Sequence, residues 1–227
     1  MRFWLGGAMM AATVISCPCA AETARDVLTQ ASFNDRDPND ALKRIGIAQA
    51  LAASALKRNS DDREAQLMQA TALGYRARLD GSRTEAIAAR KLFEALVARD
   101  PRNPEAQLAL GAWHVGAVFR LGRLGGRAIL GAQKPLAYAA LDKAVALGGD
   151  RALFPGLSAL LRLELDPGDA RARQLAEVAV KAGTQTAIDR IIQRAVSAVL
   201  IPLRAGRSDE VKQLAAELLP FGRLRKD

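Results

Sequence analysis

The stretch from Ala89 to Gly111, ARKLFEALVARDPRNPEAQLALG, contains the pattern on which the predicted fold depends. Strong helix formers fill both of its halves. Between them stands Asp100-Pro101-Arg102-Asn103-Pro104, where proline stops one helix and Asn103 can cap the next. The stretch therefore predicts two successive helices joined by a short loop.

Similar breaks recur along the rest of the chain. At each of these positions a residue that stops a helix is next to, or within a few residues of, a side-chain oxygen that can cap the following helix: 37–40, 59–62, 80–82, 148–150, 166–169, 183 and 206–209. The segment after Thr184 shows helical spacing, with Ile188, Ile192 and Val199 on one face and Asp189 and Arg190 on the other. The sequence predicts an all-α chain of nine or ten antiparallel helices.

Internal repeats support the same prediction. Glu64–Leu67 and Glu105–Leu108 both read EAQL, and Ala-rich segments ending at Pro101, Gly149 and Gly183 align with one another. Their spacing indicates a helix pair of about 35 to 47 residues, which is the repeat length of helical solenoids. Alanine at the contacts allows such helices to approach closely.

The quoted stretch resembles the tetratricopeptide (TPR) signature. The resemblance rests on Ala89, Phe93, Leu96 and Pro101, followed by Asn103-Pro104-Glu105-Ala106 and Leu110-Gly111. It implies a TPR-like array of antiparallel helix hairpins, an α-solenoid wound as a right-handed superhelix. With its Gly-rich insert and LDKAVALGGDR at Leu141–Arg151, the chain is also similar to the T-component family of TRAP-type solute transporters. That resemblance implies an envelope protein without enzymatic activity that is accessory to a transporter.

Residues 1–21 predict an export signal. Uncharged residues follow Arg2 as far as Ala21, and small side chains favour cleavage before Glu22, which leaves 22–227 as a single helical-repeat domain. A lipoprotein signal ending before Cys17 is the alternative, because Val14-Ile15-Ser16-Cys17 is similar to a lipobox. We expect a periplasmic protein or, in the alternative, one that is lipid-anchored through Cys17.

The formal net charge of +9 adds a prediction about partners. Nucleic acid is not an expected partner, because the chain is predicted to be exported and has no basic stripe with interleaved aromatic residues. A basic envelope protein is instead attracted to anionic lipid or wall polymer.

Two neighbouring segments contain the candidate binding residues. The first, Ala106–Phe119, is uncharged and includes Trp113 and His114. These side chains either belong to the core or bind a ligand on the concave wall of the array, together with Tyr75 and Tyr138.

The second segment, Phe119–Lys134, interleaves glycines with Arg120, Arg123 and Arg127. It is either a basic hairpin loop or an anion-binding nest that contacts a partner or an acidic head group. No strand precedes it and no Gly-Lys-Ser/Thr follows, so it does not predict a phosphate loop.

The sequence offers little for catalysis. Its single His and two Cys, both of which precede Glu22, predict no metal site, and no cofactor is expected. The pattern therefore favours a non-catalytic scaffold that binds a protein partner or small solute in the groove of the array. An exported hydrolase of cell-wall polymer on an all-helical frame is the alternative. Its positive feature is the surplus of cations, which suits polyanionic wall polymers, and a catalytic carboxylate pair can come from residues distant in sequence.

Overall fold

The computed structural model describes residues 22–225, and within that range the chain is all-α. Residues 22–225 form ten α-helices and no strand, which confirms the predicted all-α class and agrees with the predicted nine or ten helices. The helices are α1 Ala24–Phe33, α2 Pro38–Arg58, α3 Arg63–Asp80, α4 Arg83–Arg99, α5 Pro104–Gly125, α6 Lys134–Leu147, α7 Leu153–Leu165, α8 Ala170–Ala179, α9 Ala187–Arg204 and α10 Ser208–Leu218.

The expected export signal, including Cys17, lies outside the described residues. None of the helices found within 22–225 combines the length and the hydropathy needed to cross a bilayer.

The predicted breaks coincide with the ends of helices because capping is local. Side-chain oxygens of Asp37, Asp62, Asn103 and Asp169 each accept a backbone N–H two or three residues further on. These bonds satisfy donors that have no partner inside the helix. Asp189 departs from the expected pattern: it is fully buried, because it completes a capping box with Thr186 and also accepts the N–H of Leu153.

Consecutive helices pack against one another, and α7 occupies the centre of the C-terminal half. It contacts α5, α6, α8, α9 and α10, and its residues from Leu153 to Glu164 are all buried. Two large hydrophobic cores result, beside a small cluster of Ala117, Val118 and Ala132. The first is built mainly on α1–α4, and the second is built on α5–α10.

The segment after α10 turns back to the beginning of the fold. The N–H of Phe221 donates to the carbonyl of Ser32 at 2.7 Å, and that of Arg225 donates to Arg36 at 2.8 Å. The Phe221 ring lies edge-on to Tyr75, 4.8 Å away, and belongs to the first core. In an open solenoid each repeat contacts only its neighbours. Here the C-terminal segment joins the N-terminal helices, so the packing is compact.

The Gly-rich insert is helical where the sequence predicted a loop. Helix α5 continues to Gly125 with a kink at Gly122, and a π-helical turn at Gly126–Leu130 ends at Gly131. Gly122 and Gly131 both have φ near 71°, a conformation that glycine adopts without strain. The N–H groups of Gly126 and Gly131 donate to carbonyls within the segment, so these donors are not available for an anion-binding nest.

Candidate functional site

A cavity of about 350 Å³ lies between the two cores. Most of its wall comes from α1, α3, α5 and α7, with smaller contributions from α4, the π-helical turn, α9 and the segment after α10. On α5 the lining positions include Ala109, Ala112, Trp113, Gly116 and Arg120, which follow helical spacing. Three of these five residues are small, and a Cβ added at Gly116 would meet no atom within 4 Å. The small residues therefore leave the space that forms the cavity.

The wall is mainly apolar. Its larger apolar side chains come from all the elements named above and include Leu28, Leu67, Met68, Phe93, Leu108, Trp113, Ile129, Leu157, Leu161 and Leu219. A concave apolar surface with a few polar groups is typical of small-molecule sites.

Charged groups are concentrated in two parts of this wall. In the first part Glu164 is only 3% exposed and forms no hydrogen bond or ion pair within residues 22–225. Burial raises its pKa to about 7, although the nearby charge of Arg78 partly opposes that shift. At neutral pH the carboxyl is therefore close to half-protonated.

Arg78 also lacks an ion pair within the described chain. Burial lowers the pKa of its guanidinium, Glu164 opposes that shift and the charge of Arg120 reinforces it. Its guanidinium carbon lies 5.8 Å from the centroid of the Phe221 ring. Since Glu164 is partly neutral, Arg78 and Arg120 give this part of the cavity a positive charge that the residues from 22 to 225 do not balance.

The second charged part is fully paired. Arg25 binds Glu64 at 2.6 Å and Glu105 at 2.5 Å, and Glu105 binds Arg151 at 3.0 Å. Arg151 also forms an ion pair with Asp189 at 3.3 Å. This series of ion pairs links α1, α3, α5 and α9, and leaves the carboxylate of Glu105 occupied.

The structure brings three of the seven sequence-predicted binding residues to the cavity: Tyr75, Trp113 and Arg120. Burial raises the pKa of the Tyr75 hydroxyl, which therefore stays neutral near pH 7. The guanidinium of Arg90 lies 5.8 Å from the Trp113 ring centroid and stacks over that ring.

The structure places the other four away from the cavity wall. His114 follows Trp113 by about 100° around α5, so it points elsewhere. It is 2% exposed, its Nδ1 accepts the N–H of Gln133 at 3.4 Å, and burial, helped by the charge of Arg90, lowers its pKa to about 4. Tyr138 packs on the second core, where the guanidinium of Arg162 lies 4.0 Å from its ring centroid. Arg123 and Arg127 are exposed near the π-helical turn.

Sequence reasoning missed Arg78 and Glu164. A signal for Glu164 was present, because it is the single acid in the apolar run Leu153–Leu165, LFPGLSALLRLEL. Arg78 has no comparable signal, since its surroundings in sequence are those of an ordinary solvent-facing arginine.

No group of three or more potential metal-ligating side chains is found among residues 22–225. Glu164 is the one carboxyl at the cavity without an ion pair in that range. Comparison with protein-family models and with curated proteins finds no match for this chain.

Proposed function

We propose that this chain is a non-catalytic binding protein whose cavity holds a small amphiphilic molecule with an anionic head group. The observation that carries the proposal is an apolar cavity whose wall contains Arg78, a partly buried cation that forms no ion pair with any residue from 22 to 225. An anionic head group would supply the missing partner, and the apolar remainder of the ligand would cover the leucine-rich wall.

The proposal includes a TPR-like scaffold of the bacterial envelope. Its support is the resemblance around Ala89–Gly111, in which Ala89 and Phe93 are buried and Gly111 lies at a close contact between α5 and α6. The predicted export signal supports a periplasmic location, with anchoring through Cys17 as the alternative. A scaffold of this kind would bind its solute on behalf of an envelope protein such as a transporter component.

Fluorescence of Trp113 tests the binding proposal directly. In a Trp4→Phe background Trp113 is the only tryptophan. We expect lauric acid to change its emission in a saturable way, and lauryl alcohol, which has the same tail without the charge, to bind at least about tenfold more weakly, since a charge-assisted contact contributes about 1.5–3 kcal/mol.

Two variants, Gly116→Leu and Arg78→Gln, test where the ligand binds, and Gly46→Leu is their control. Gly116→Leu should block the cavity and abolish the response, whereas Gly46→Leu, on α2 and also open around its Cβ, should leave it unchanged. Arg78→Gln should remove the preference for the acid over the alcohol. A Gly116→Leu protein that still binds lauric acid with unchanged affinity would contradict a site in this cavity.

One observation favours the second candidate, an exported cell-wall hydrolase. A buried Glu with a pKa near 7 is suited to general acid catalysis. Against it, Glu105, the only other carboxylate that residues 22–225 contribute to the wall, is paired with Arg25 and Arg151, and the wall is mainly apolar. The test is whether the protein releases soluble fragments from purified sacculi. If it does, and if Glu164→Gln abolishes the release while Glu217→Gln does not, this alternative is established and the non-catalytic proposal is refuted.

A further inference from the structure

The end of α5, the π-helical turn and the start of α6 form a surface that is both apolar and basic. We call residues 119–136 the basic apolar tip. Among residues 22–225, five of the ten exposed large apolar side chains fall within it: Phe119, Leu121, Leu124, Ile129 and Leu136. Leu124 is 86% exposed, the largest fraction among them. Exposed apolar residues are common singly, but such a concentration in one short segment indicates an interaction surface.

The charges of the tip all have one sign. Arg120, Arg123, Arg127 and Lys134 lie in it, and no Asp or Glu occurs between Ala106 and Leu141. The three arginines form no ion pair within the described chain, so their charges face solvent without a local counterion.

The backbone of the tip is held in place. Arg90 of α4 donates from Nη1 to the carbonyl of Leu130 at 2.7 Å, and Ala132, directly after the turn, is fully buried. Gly131 ends the turn with a φ of 71°, which favours glycine, and a Cβ there would also lie 2.0 Å from Nη1 of Arg90 and displace that guanidinium. The exposed side chains are therefore presented by an anchored element.

We infer that the basic apolar tip docks on an anionic lipid bilayer, with Leu124 entering the boundary between head groups and acyl chains. Apolar side chains surrounded by arginines match such a surface. Each cation near anionic lipid raises the affinity for the membrane about fivefold, and apolar side chains raise it further because their surface is buried among the acyl chains. A protein partner would also be expected to supply acids, but this combination of bulky aliphatic residues and unpaired cations on a helix end suits lipid better. Leu121, Ile129 and Arg120 also line the cavity, so docking would bring the cavity close to the membrane. The inference stands without the proposed ligand.

Quenching by brominated lipid tests the inference at the residue concerned. In full-length Trp4→Phe/Trp113→Phe protein, Leu124→Trp introduces one tryptophan at the tip, and Ile201→Trp introduces one on α9 at a site that is 66% exposed. We expect brominated phosphatidylglycerol vesicles to quench the first at least about threefold more strongly than the second. Because both proteins carry the same N-terminal segment, membrane attachment through that segment cannot produce this difference.

The contribution of the arginines to membrane docking is tested separately. Arg123→Gln/Arg127→Gln should weaken docking of the tip by roughly 30-fold, whereas Lys212→Gln on α10 should change it by about twofold at most. Brominated phosphatidylcholine, or salt at about 0.5 M, should abolish most of the quenching. Three results would overturn the inference: equal quenching at the two tryptophan sites, no quenching by brominated phosphatidylglycerol, or equal quenching by the two lipids. Either of the first two would favour a protein partner for the tip instead. None of these outcomes bears on lauric acid binding.

Discussion

Protonation of Glu164 is expected to affect the stability of the fold. The pKa of its carboxyl rises from 4.5 to about 7 on folding, so between these values the folded chain holds a proton that the unfolded chain has lost. The resulting stabilisation is complete below pH 4.5 and is lost as the pH rises through 7. Glu164→Gln should remove that loss and make the protein more stable than the wild type near pH 8, by up to about 3 kcal/mol.

Urea unfolding from about pH 5 to about pH 8 measures this effect. Glu217→Gln makes the same chemical change at an exposed position on α10 and should leave the pH profile unchanged. If Glu164→Gln and the wild type lose stability in parallel up to pH 8, the carboxyl is not buried as described.

His114 is expected to act in the opposite direction. Burial lowers its pKa from 6.5 to about 4, so the neutral imidazole stabilises the fold above pH 6.5, and that stabilisation is lost as the pH falls through 4. Between pH 4.5 and 6.5 the two groups therefore oppose each other in the wild type. In His114→Gln, whose amide oxygen can still accept the Gln133 N–H, stability should fall steadily with rising pH across this window. Urea unfolding of that variant checks the sign, and a profile that rises with pH would contradict it.

At the scale of the helix, two glycines of α5 differ in the space around them. A Cβ at Gly111 would lie 2.8 Å from Leu141 of α6, whereas one at Gly116 would meet nothing. Gly111→Ala should therefore destabilise the fold by about 1–3 kcal/mol through overpacking, and Gly116→Ala should stabilise it by up to about 1 kcal/mol through helix propensity. Thermal unfolding of the two variants compares them directly, and effects of the same sign would contradict the assigned packing.

The helix boundaries were predictable because the groups that decide them are close in sequence. Asp62, Asn103 and Asp169 cap helices within three residues of themselves, so pattern alone was sufficient. The π-helical turn was not predictable, because it depends on Arg90, forty residues before the carbonyl that it binds. Glu164 and Arg78 likewise come within electrostatic range of each other only where α3 and α7 line the same cavity, whereas Trp113 stood out through composition.

For the whole molecule, the contact that closes the N-terminal helices on the C-terminal segment is expected to couple the two cores. Phe221 supplies this contact: its ring packs against Tyr75 and Arg78, although its φ of 61° is unusual for a residue other than glycine. Phe221→Ala keeps the backbone bond to Ser32 and removes the ring. The expected cost is about 3 kcal/mol, because a buried aromatic side chain is lost.

The loss should not be uniform. In Phe221→Ala, hydrogen exchange should quicken in α3, whose Tyr75 and Arg78 contact the ring, and in α1, whose Ser32 binds the Phe221 backbone. It should quicken less in α8, which packs on α7 and α9. Phe119→Ala, at an exposed site on α5, serves as the control and should leave exchange in α1 and α3 unchanged. Equal acceleration in α1 and α8 would mean that the chain opens as one unit. Protection that is unchanged in α1 would mean that the closing contact contributes nothing, and the helices would then hold their compact arrangement through neighbour-to-neighbour packing alone.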